Sequence, residues 1–305
     1  MAYTNFPYGV TSFGVPVITG PLPVIPINNV FYVQYTQGTD AVGRGKSPSE
    51  PFKTLDFAVG QCEASKGDII FLMAGHTDTA IAAGTITIDV AGITIIGLGT
   101  GTLRPTISFT TAATATVAIS AANVTISNVI FNYVGVDAIA TGINVTGANC
   151  HINKCKFVMA DGTNQAVQAI TGGTGATSLK VTECEFLAPN AGATAAIYSA
   201  VALDDVQIGG CYFYGDFSTA AITNVTNAWT LCRIWENQYY GTNATEPIFD
   251  VVSTATGLAW RNYIAVATLS NGLSTVGDGI FKFENYATEV GTSAGILDPA
   301  AAALT

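Results

Sequence analysis

Charge is scarce in this chain. Only 10% of its 305 residues are Asp, Glu, Lys or Arg, against roughly a quarter in an ordinary soluble domain. So few charges exclude a surface built from solvated helices. Basic residues are the scarcer sign, with 11 Lys and Arg against 21 Asp and Glu and a net charge of −10. Phosphate contacts need Lys and Arg, so nucleic-acid binding is excluded as a function class. Long apolar runs are missing too. The longest, Ile69 to Ala74, falls far short of the ~20 residues that span a bilayer, so no membrane insertion is expected. The first residues, "MAYTNFPYGVTSFG", lack the basic and apolar regions of a secretory signal. Synthesis in a reducing cytoplasm is the expectation, with the cysteines kept as thiols. These six, at 62, 150, 155, 184, 211 and 232, form no C-x-x-C and no Cys/His cluster, so neither a metal nor another cofactor is expected.

What fills the chain instead is Thr, Ala, Gly, Val, Ile and Asn. β-Branched residues suit pleated surfaces. Residues 1–29 are rich in Pro and aromatics, among them Phe6, Tyr8 and Phe13. Disordered tails are usually poor in aromatics, so this segment reads as an extended docking arm. Residues 30–67 hold a short strand, a long turn and a helix. Leu55, Ala58, Val59 and Cys62 fall at i, i+3, i+4 and i+7, which predicts a helix over 54–65 capped by Thr54 and ended by Gly67. Beyond residue 85 the helical period vanishes. Short alternating stretches such as Ile86-Thr-Ile88 and Val124-Thr-Ile126 recur between Gly, Asn and Thr turns, an all-β pattern.

A repeat runs through those strands. "NVTISNVIF", "CHINKCKF", "SLKVTECEF" and "DDVQIGGCYF" end at Phe131, Phe157, Phe186 and Phe213. "WENQY", "WRNY" and "FENY" end at Tyr239, Tyr263 and Tyr286 and read as its continuation. Five residues before the first four aromatics stand Ile126, Ile152, Val181 and Ile208; two before stand Val129, Cys155, Cys184 and Cys211. A period drifting around ~25 residues fits a solenoid whose loops vary while its strands stay in register. Leu is too scarce for leucine-rich repeats. A parallel β-helix over residues 68–290 of about eight or nine coils, with the helix closing its N-terminal end, accounts for the pattern. Residues 291–305 are left as a tail.

One stretch carries a family resemblance. Gly38 and Asp40, Gly45 to Ser47, Pro51 to Leu55 and Gly67 to Gly75 resemble the opening of pectate-lyase-like right-handed parallel β-helix proteins. Together with the preceding arm and the following tail, the chain is similar to single-domain β-helix virion proteins of tailed bacteriophages. The resemblance implies a homotrimer, and a structural virion protein on the capsid exterior that decorates or cements the capsid. It would dock on the phage major capsid protein through the arm. The alternative it implies is a short tailspike that binds or depolymerises a bacterial surface polysaccharide.

Catalysis on this fold would need clustered carboxylates with a basic partner, or a carboxylate pair at ~5–9.5 Å. Asp204 and Asp205 are adjacent and should point to opposite faces; Asp161 and Asp216 sit in turns two coils apart. His76 and His151 read as structural or solvated. No catalytic residue is expected on these grounds. "GLGTGT" at 97–102 lacks the Lys and following helix of a phosphate loop. Cys155, Cys184 and Cys211 read as an inward stack of buried thiols. Tyr212 and Tyr214 should point outward beside Phe213. With Trp235, Tyr240 and Trp260 they make a candidate subunit interface or glycan face. Finally, "NKCKF" and "TECEF" share a frame and invert its charge. Stacking puts Lys154 over Glu183 and Lys156 over Glu185 on the outside of the solenoid, where opposite signs attract across one strand spacing.

Overall fold

The described residues of the computed structural model are 10–12, 15–17, 29–159, 162–189, 192–224, 227–241, 247–266 and 279–289. From Val30 onward the chain winds as a parallel β-helix. A first sheet has ten strands, from Val30–Val33 to Gly279–Phe283. A second has nine, from Thr77–Ala80 to Tyr286–Glu289, and a third has seven, from Ile86–Ile88 to Phe249–Asp250. Each coil visits the three sheets in turn, and every pairing within them is parallel. Among the described residues no helix is long and apolar enough to cross a membrane.

Alternation along each strand sends one row inward. In the first sheet that row runs Phe31, Ile70, Ile95, Ile126, Ile152, Val181, Ile208, Ile234, Ala259. In the second it runs Asp78, Ile107, Phe131, Phe157, Phe186, Phe213, Tyr239, Ile264, Ala287. The four phenylalanines stack with ring centroids 5.0, 4.6 and 5.0 Å apart and planes within 14°. That spacing matches the ~4.8 Å between strands, so register alone forces the rings face to face.

Three sequence expectations change. The helix predicted over 54–65 spans only Leu55–Val59. Thr54 caps it, its side chain accepting from the Phe57 N–H. Beyond Gly60 the N–H groups of Gln61 and Cys62 turn to the carbonyls of Ala58 and Val59, tight i→i+3 bonds that end an α-helix. Leu55, Ala58 and Val59 are buried, and the Asp56 carboxylate accepts the Thr87 N–H at 2.8 Å, tying the helix to the first strand of the third sheet. Second, Val10–Ser12 and Val15–Val17 pair antiparallel, Val10 opposite Val17, so the N-terminal segment is not extended throughout. Phe6, Tyr8, Phe13 and the 291–305 tail lie outside the described residues.

The third change concerns the repeat. Tyr263 and Tyr286 do not continue the inward aromatic row. They align with Tyr212 and Gln238 and point outward, while Ile264 and Ala287 take the inward places. A strand alternates with period 2, so a one-residue slip in the alignment flips a side chain to the other face.

Candidate functional site: turn ladders and two aromatic faces

From the strand Thr125–Ser127 onward, each coil passes from the first sheet to the second on a single residue with positive φ: Asn128, Lys154, Glu183, Gly210, Glu236, Arg261 and Glu284, all between 51° and 63°. Most donate their backbone N–H to a carbonyl in the next coil, as Lys154 does to Thr182 and Glu183 to Gly209. Lys154 and Glu183 are therefore stacked turn residues rather than strand residues, with Nζ and Oε2 3.6 Å apart. Lys156 and Glu185 lie in register on the outer face of the second sheet at 3.0 Å. Arg261 continues the turn ladder between Glu236 at 3.7 Å and Glu284 at 2.8 Å. Such part-exposed pairs contribute ~0.2–1 kcal/mol each. The double variant Lys154→Glu with Lys156→Glu is expected to lose ~1–2 kcal/mol of stability in a urea melt at low salt. Adding Glu183→Lys and Glu185→Lys should restore most of it.

Just inside that turn lies the row Val129, Cys155, Cys184, Cys211, Asn237, Asn262, Asn285, all buried. The sequence reading sees its thiols and misses its amides. Its amides hydrogen-bond backbone carbonyls of the coil before, whereas its thiols lie between those carbonyls and the carbonyls of their own coil. The single S–H of Cys155 and that of Cys184 lie closest to the Asn153 and Thr182 carbonyls of their own coils, both at 3.3 Å, with Ile126 and Ile152 of the coil before at 3.9 and 3.6 Å; Cys211 Sγ is 3.6 Å from both Gly209 and Val181. Asn237, Asn262 and Asn285 donate Nδ2–H to Ile208, Ile234 and Ala259 at 3.0–3.1 Å. A thiol is a weak donor and an amide a strong one, so the side-chain bond between coils at this position becomes strong where the asparagines begin. Burial pushes the Cys155 and Cys184 thiols well up, and a protonated thiol is a poor nucleophile. The signal for the asparagines is in the sequence: Trp235-Glu-Asn, Trp260-Arg-Asn and Phe283-Glu-Asn are three copies of one triplet.

The predicted aromatic face divides between two sheets. On the outer first sheet Trp235, Trp260 and Phe283 are in register and stack at 5.6 and 5.9 Å, with planes within 13°. The Trp235 ring lies flat on Gly209, where a Cβ would come 2.1 Å from it. On the outer second sheet stand Tyr212, Tyr214, Tyr240, Tyr263 and Tyr286. Tyr214 and Tyr240 stack at 5.8 Å, and the other three and Tyr240 are 38–44% exposed. The two faces differ chemically. Trp260 is covered on both faces, by Trp235 and by Phe283; the tyrosines carry hydroxyls at a half-wet surface.

Carboxylates near these faces are engaged. Asp205, at φ 56°, accepts from Ser178 at 3.1 Å and pairs with Arg233. Burial pushes its carboxyl up, but the hydrogen bonds from Arg233 and Ser178 outweigh that and hold it below its usual range. Asp204 accepts from Thr230 Oγ1 at 2.6 Å. Asp216 is buried, and Asp161 lies outside the described residues. His151 sits on the outer first sheet, its Nε2 2.7 Å from Thr182 Oγ1. Among the described residues no three His, Cys, Asp or Glu side chains gather as a metal-binding group.

The first coil holds a buried pair. His76 is fully buried and accepts the Tyr35 N–H at Nδ1, 3.1 Å away. The ring proton is thereby assigned to Nε2, which lies 3.8 Å from Asp78 Oδ2. That same oxygen accepts the Leu55 N–H at the helix start, at 2.9 Å. Burial lowers the His76 pKa from 6.5 to about 4 and raises that of Asp78. The folded His76 value lies below the unfolded one, so as pH falls the unfolded chain takes the proton first. Stability is full above pH 6.5 and falls towards pH 4, by about 3 kcal/mol at 1.36 kcal/mol per pH unit. Asp78 acts the other way, since its raised folded value favours the folded state as it protonates. Urea melts between pH 7 and 4 should show the decline in the wild type and a flatter profile in His76→Gln.

No family model and no curated protein matches this sequence. Solved structures do. A GH136 lacto-N-biosidase from Eubacterium ramulus matches at 14% identity and a TM-score of 0.54, over 85% of this chain and 56% of that one. Its selenomethionine form matches at 11% and 0.43, over 86% and 68%. A rhamnogalacturonan lyase matches at 15% and 0.45, over 88% and 64%. At these identities the likeness is one of fold, and this chain spans little more than half the biosidase. The expectation of a non-enzymatic chain is nevertheless overturned, because the first of these likenesses is to an enzyme built on this solenoid. Carboxylates engaged in ladders do not outweigh that finding.

Proposed function

We propose that this chain is a structural virion protein of a tailed bacteriophage, a β-helix on the capsid exterior docked on the major capsid protein through its N-terminal segment. The observation that carries the reading is the continuous inter-coil bonding of the rod. Stacked phenylalanines, the buried amide row and the paired turn ladder link successive coils, so each coil is held by its neighbours. The Pro- and aromatic-rich residues before it supply a docking element. Mass spectrometry of purified virions tests this. Hundreds of copies per particle, reduced when residues 1–28 are deleted, are the expected result; a handful of copies at the tail counts against it.

A second reading is favoured by the tyrosines of the outer second sheet. They suit a bacterial surface polysaccharide, since aromatic bodies with polar tips bind at half-wet surfaces. This reading makes the protein a short tailspike that binds or depolymerises the glycan. Release of oligosaccharides from host polysaccharide by the purified protein supports it; neither release nor binding removes it.

A further inference from the structure

Among the described residues the rod ends on the strands Gly279–Phe283 and Tyr286–Glu289. In earlier coils the inward side chains are covered by the coil that follows. An open end would leave the inward residues of this last coil wet. They are dry: Ala287 is 1% exposed, Ile280 6%, and Asn285 is fully buried. The amide row points the same way. Along it each backbone N–H is accepted by the next coil: that of Cys211 by Asn237 Oδ1, that of Asn237 by Asn262 Oδ1, that of Asn262 by Asn285 Oδ1. The Asn285 N–H is aimed at the place where the next acceptor would stand, and a buried N–H needs one. The end of the rod is therefore covered.

The cover is not a further coil of the same kind. Lys282 takes the inward place that Ile234 and Ala259 hold before it, with its Nζ 5.7 Å from the Phe249 ring. Glu289 takes the register place of Val266. Another apolar coil pressed on Lys282 would bury its charge, which is costly. The first coil shows how an inward charge is met. There the inward row of the second sheet starts with Asp78, and its Oδ2 accepts the Leu55 N–H from a segment outside the three sheets. Nor is a second copy required, because Ala287, Ile280 and Asn285 are already buried within one chain.

One segment of the chain leaves directly from the last strand: residues 290–305, "VGTSAGILDPAAAALT". Residues 267–278, by contrast, join Val266 to Gly279 and so lead into the last coil. The segment from 290 is apolar, with Ile296, Leu297, Leu304 and a run of alanines, and Asp298 is its only charge. Extended, it reaches ~50 Å, enough to recross a rod whose packed sheet faces lie ~10 Å apart. We infer that residues 290–305 fold back over the C-terminal end of the rod and close it, with Ile296 and Leu297 against Ile280, Ala287 and Phe249. Solenoid ends need such closure, and an uncovered end offers strand edges to other chains. The segment thus keeps one rod from growing into a fibre. The inference is independent of the virion reading.

Hydrogen exchange on the full chain, read by mass spectrometry at several protein concentrations, tests it. In the wild type the amides of 279–289 and of 290–305 should both be protected, to the same degree at every concentration. The double variant Ile296→Asp with Leu297→Asp should exchange at least tenfold faster over 279–289 and as the wild type does over 106–188. If the double variant fails to fold, exchange over 106–188 reveals it, and the wild-type pattern decides. Unprotected amides over 290–305 in the wild type overturn the inference. So does protection of 279–289 that rises with protein concentration, which would assign the cover to a second copy. Exchange over 279–289 untouched by the double variant overturns it as well.

Discussion

Replacing Asn262 with alanine should lower the free energy of unfolding by about 4 kcal/mol, although the side chain touches no ligand and no charge. Its Oδ1 accepts the Asn237 N–H at 3.1 Å and Asn237 Nδ2 at 3.0 Å; its Nδ2 donates to the Ile234 carbonyl and to Asn285 Oδ1, both at 3.0 Å. All three amides are buried. Alanine deletes four hydrogen bonds and leaves a buried N–H of Asn237 facing a void. Each stranded buried group costs roughly 1–3 kcal/mol, and a network loses more than one pair at a time. Cys184→Ala at the equivalent position should cost only ~1–2 kcal/mol, because the thiol is a weak donor and a small hydrophobe. Urea melts of the two variants side by side test the comparison. Equal losses would mean that the amides add nothing beyond volume.

Phe186→Ala should be comparably severe, at about 4 kcal/mol. Phe186 lies between Phe157 at 4.6 Å and Phe213 at 5.0 Å, fully buried. Truncation opens a cavity in the middle of the row and removes both ring contacts, worth about 0.5–1.5 kcal/mol each beyond area burial. Position along the rod matters as well. A solenoid is held by nearest-neighbour contacts, so a weak central coil lets the two ends unfold separately. A lower urea slope or a second transition in Phe186→Ala is therefore expected. A loss below 2 kcal/mol with a single unchanged transition would show that the stack is not a principal source of stability. Phe186→Leu should lie between the two.

The repeat was legible where its chemistry was uniform. Ile126, Ile152, Val181 and Ile208 occur at one spacing and stand in one register. It became illegible where the chemistry changed mid-row. Cys211 hands over to Asn237 and Phe213 to Tyr239, then to Ile264. An alignment on aromatics follows the tyrosine and slips by one residue at Tyr263. An alignment on the Trp/Phe-charge-Asn triplet would have kept register. Lys154 and Glu183 were readable as a pair of opposite sign, but not as left-handed turn residues, because nothing in a Lys or a Glu announces positive φ.

The candidate faces followed the same division. Tyr212 and Tyr214 were placed outward from alternation alone. That Trp235 and Trp260 belong to a different sheet from them depended on which residue makes the corner. Leu231, Leu258 and Phe281 are exposed on the closed coils and carry no sequence signal of it, since an apolar residue at one position of a drifting repeat reads as core.

The amino-acid sequence by itself determined the class of this protein: short β-branched strands at a ~25-residue period can bury their apolar faces only by stacking coil on coil. Only the tertiary structure decided which donor serves each carbonyl along the rod, and which apolar side chains are left at the surface. Those properties belong to residues brought together from successive coils. A one-residue difference in turn position, invisible in composition, moves a side chain from the core to the outer face.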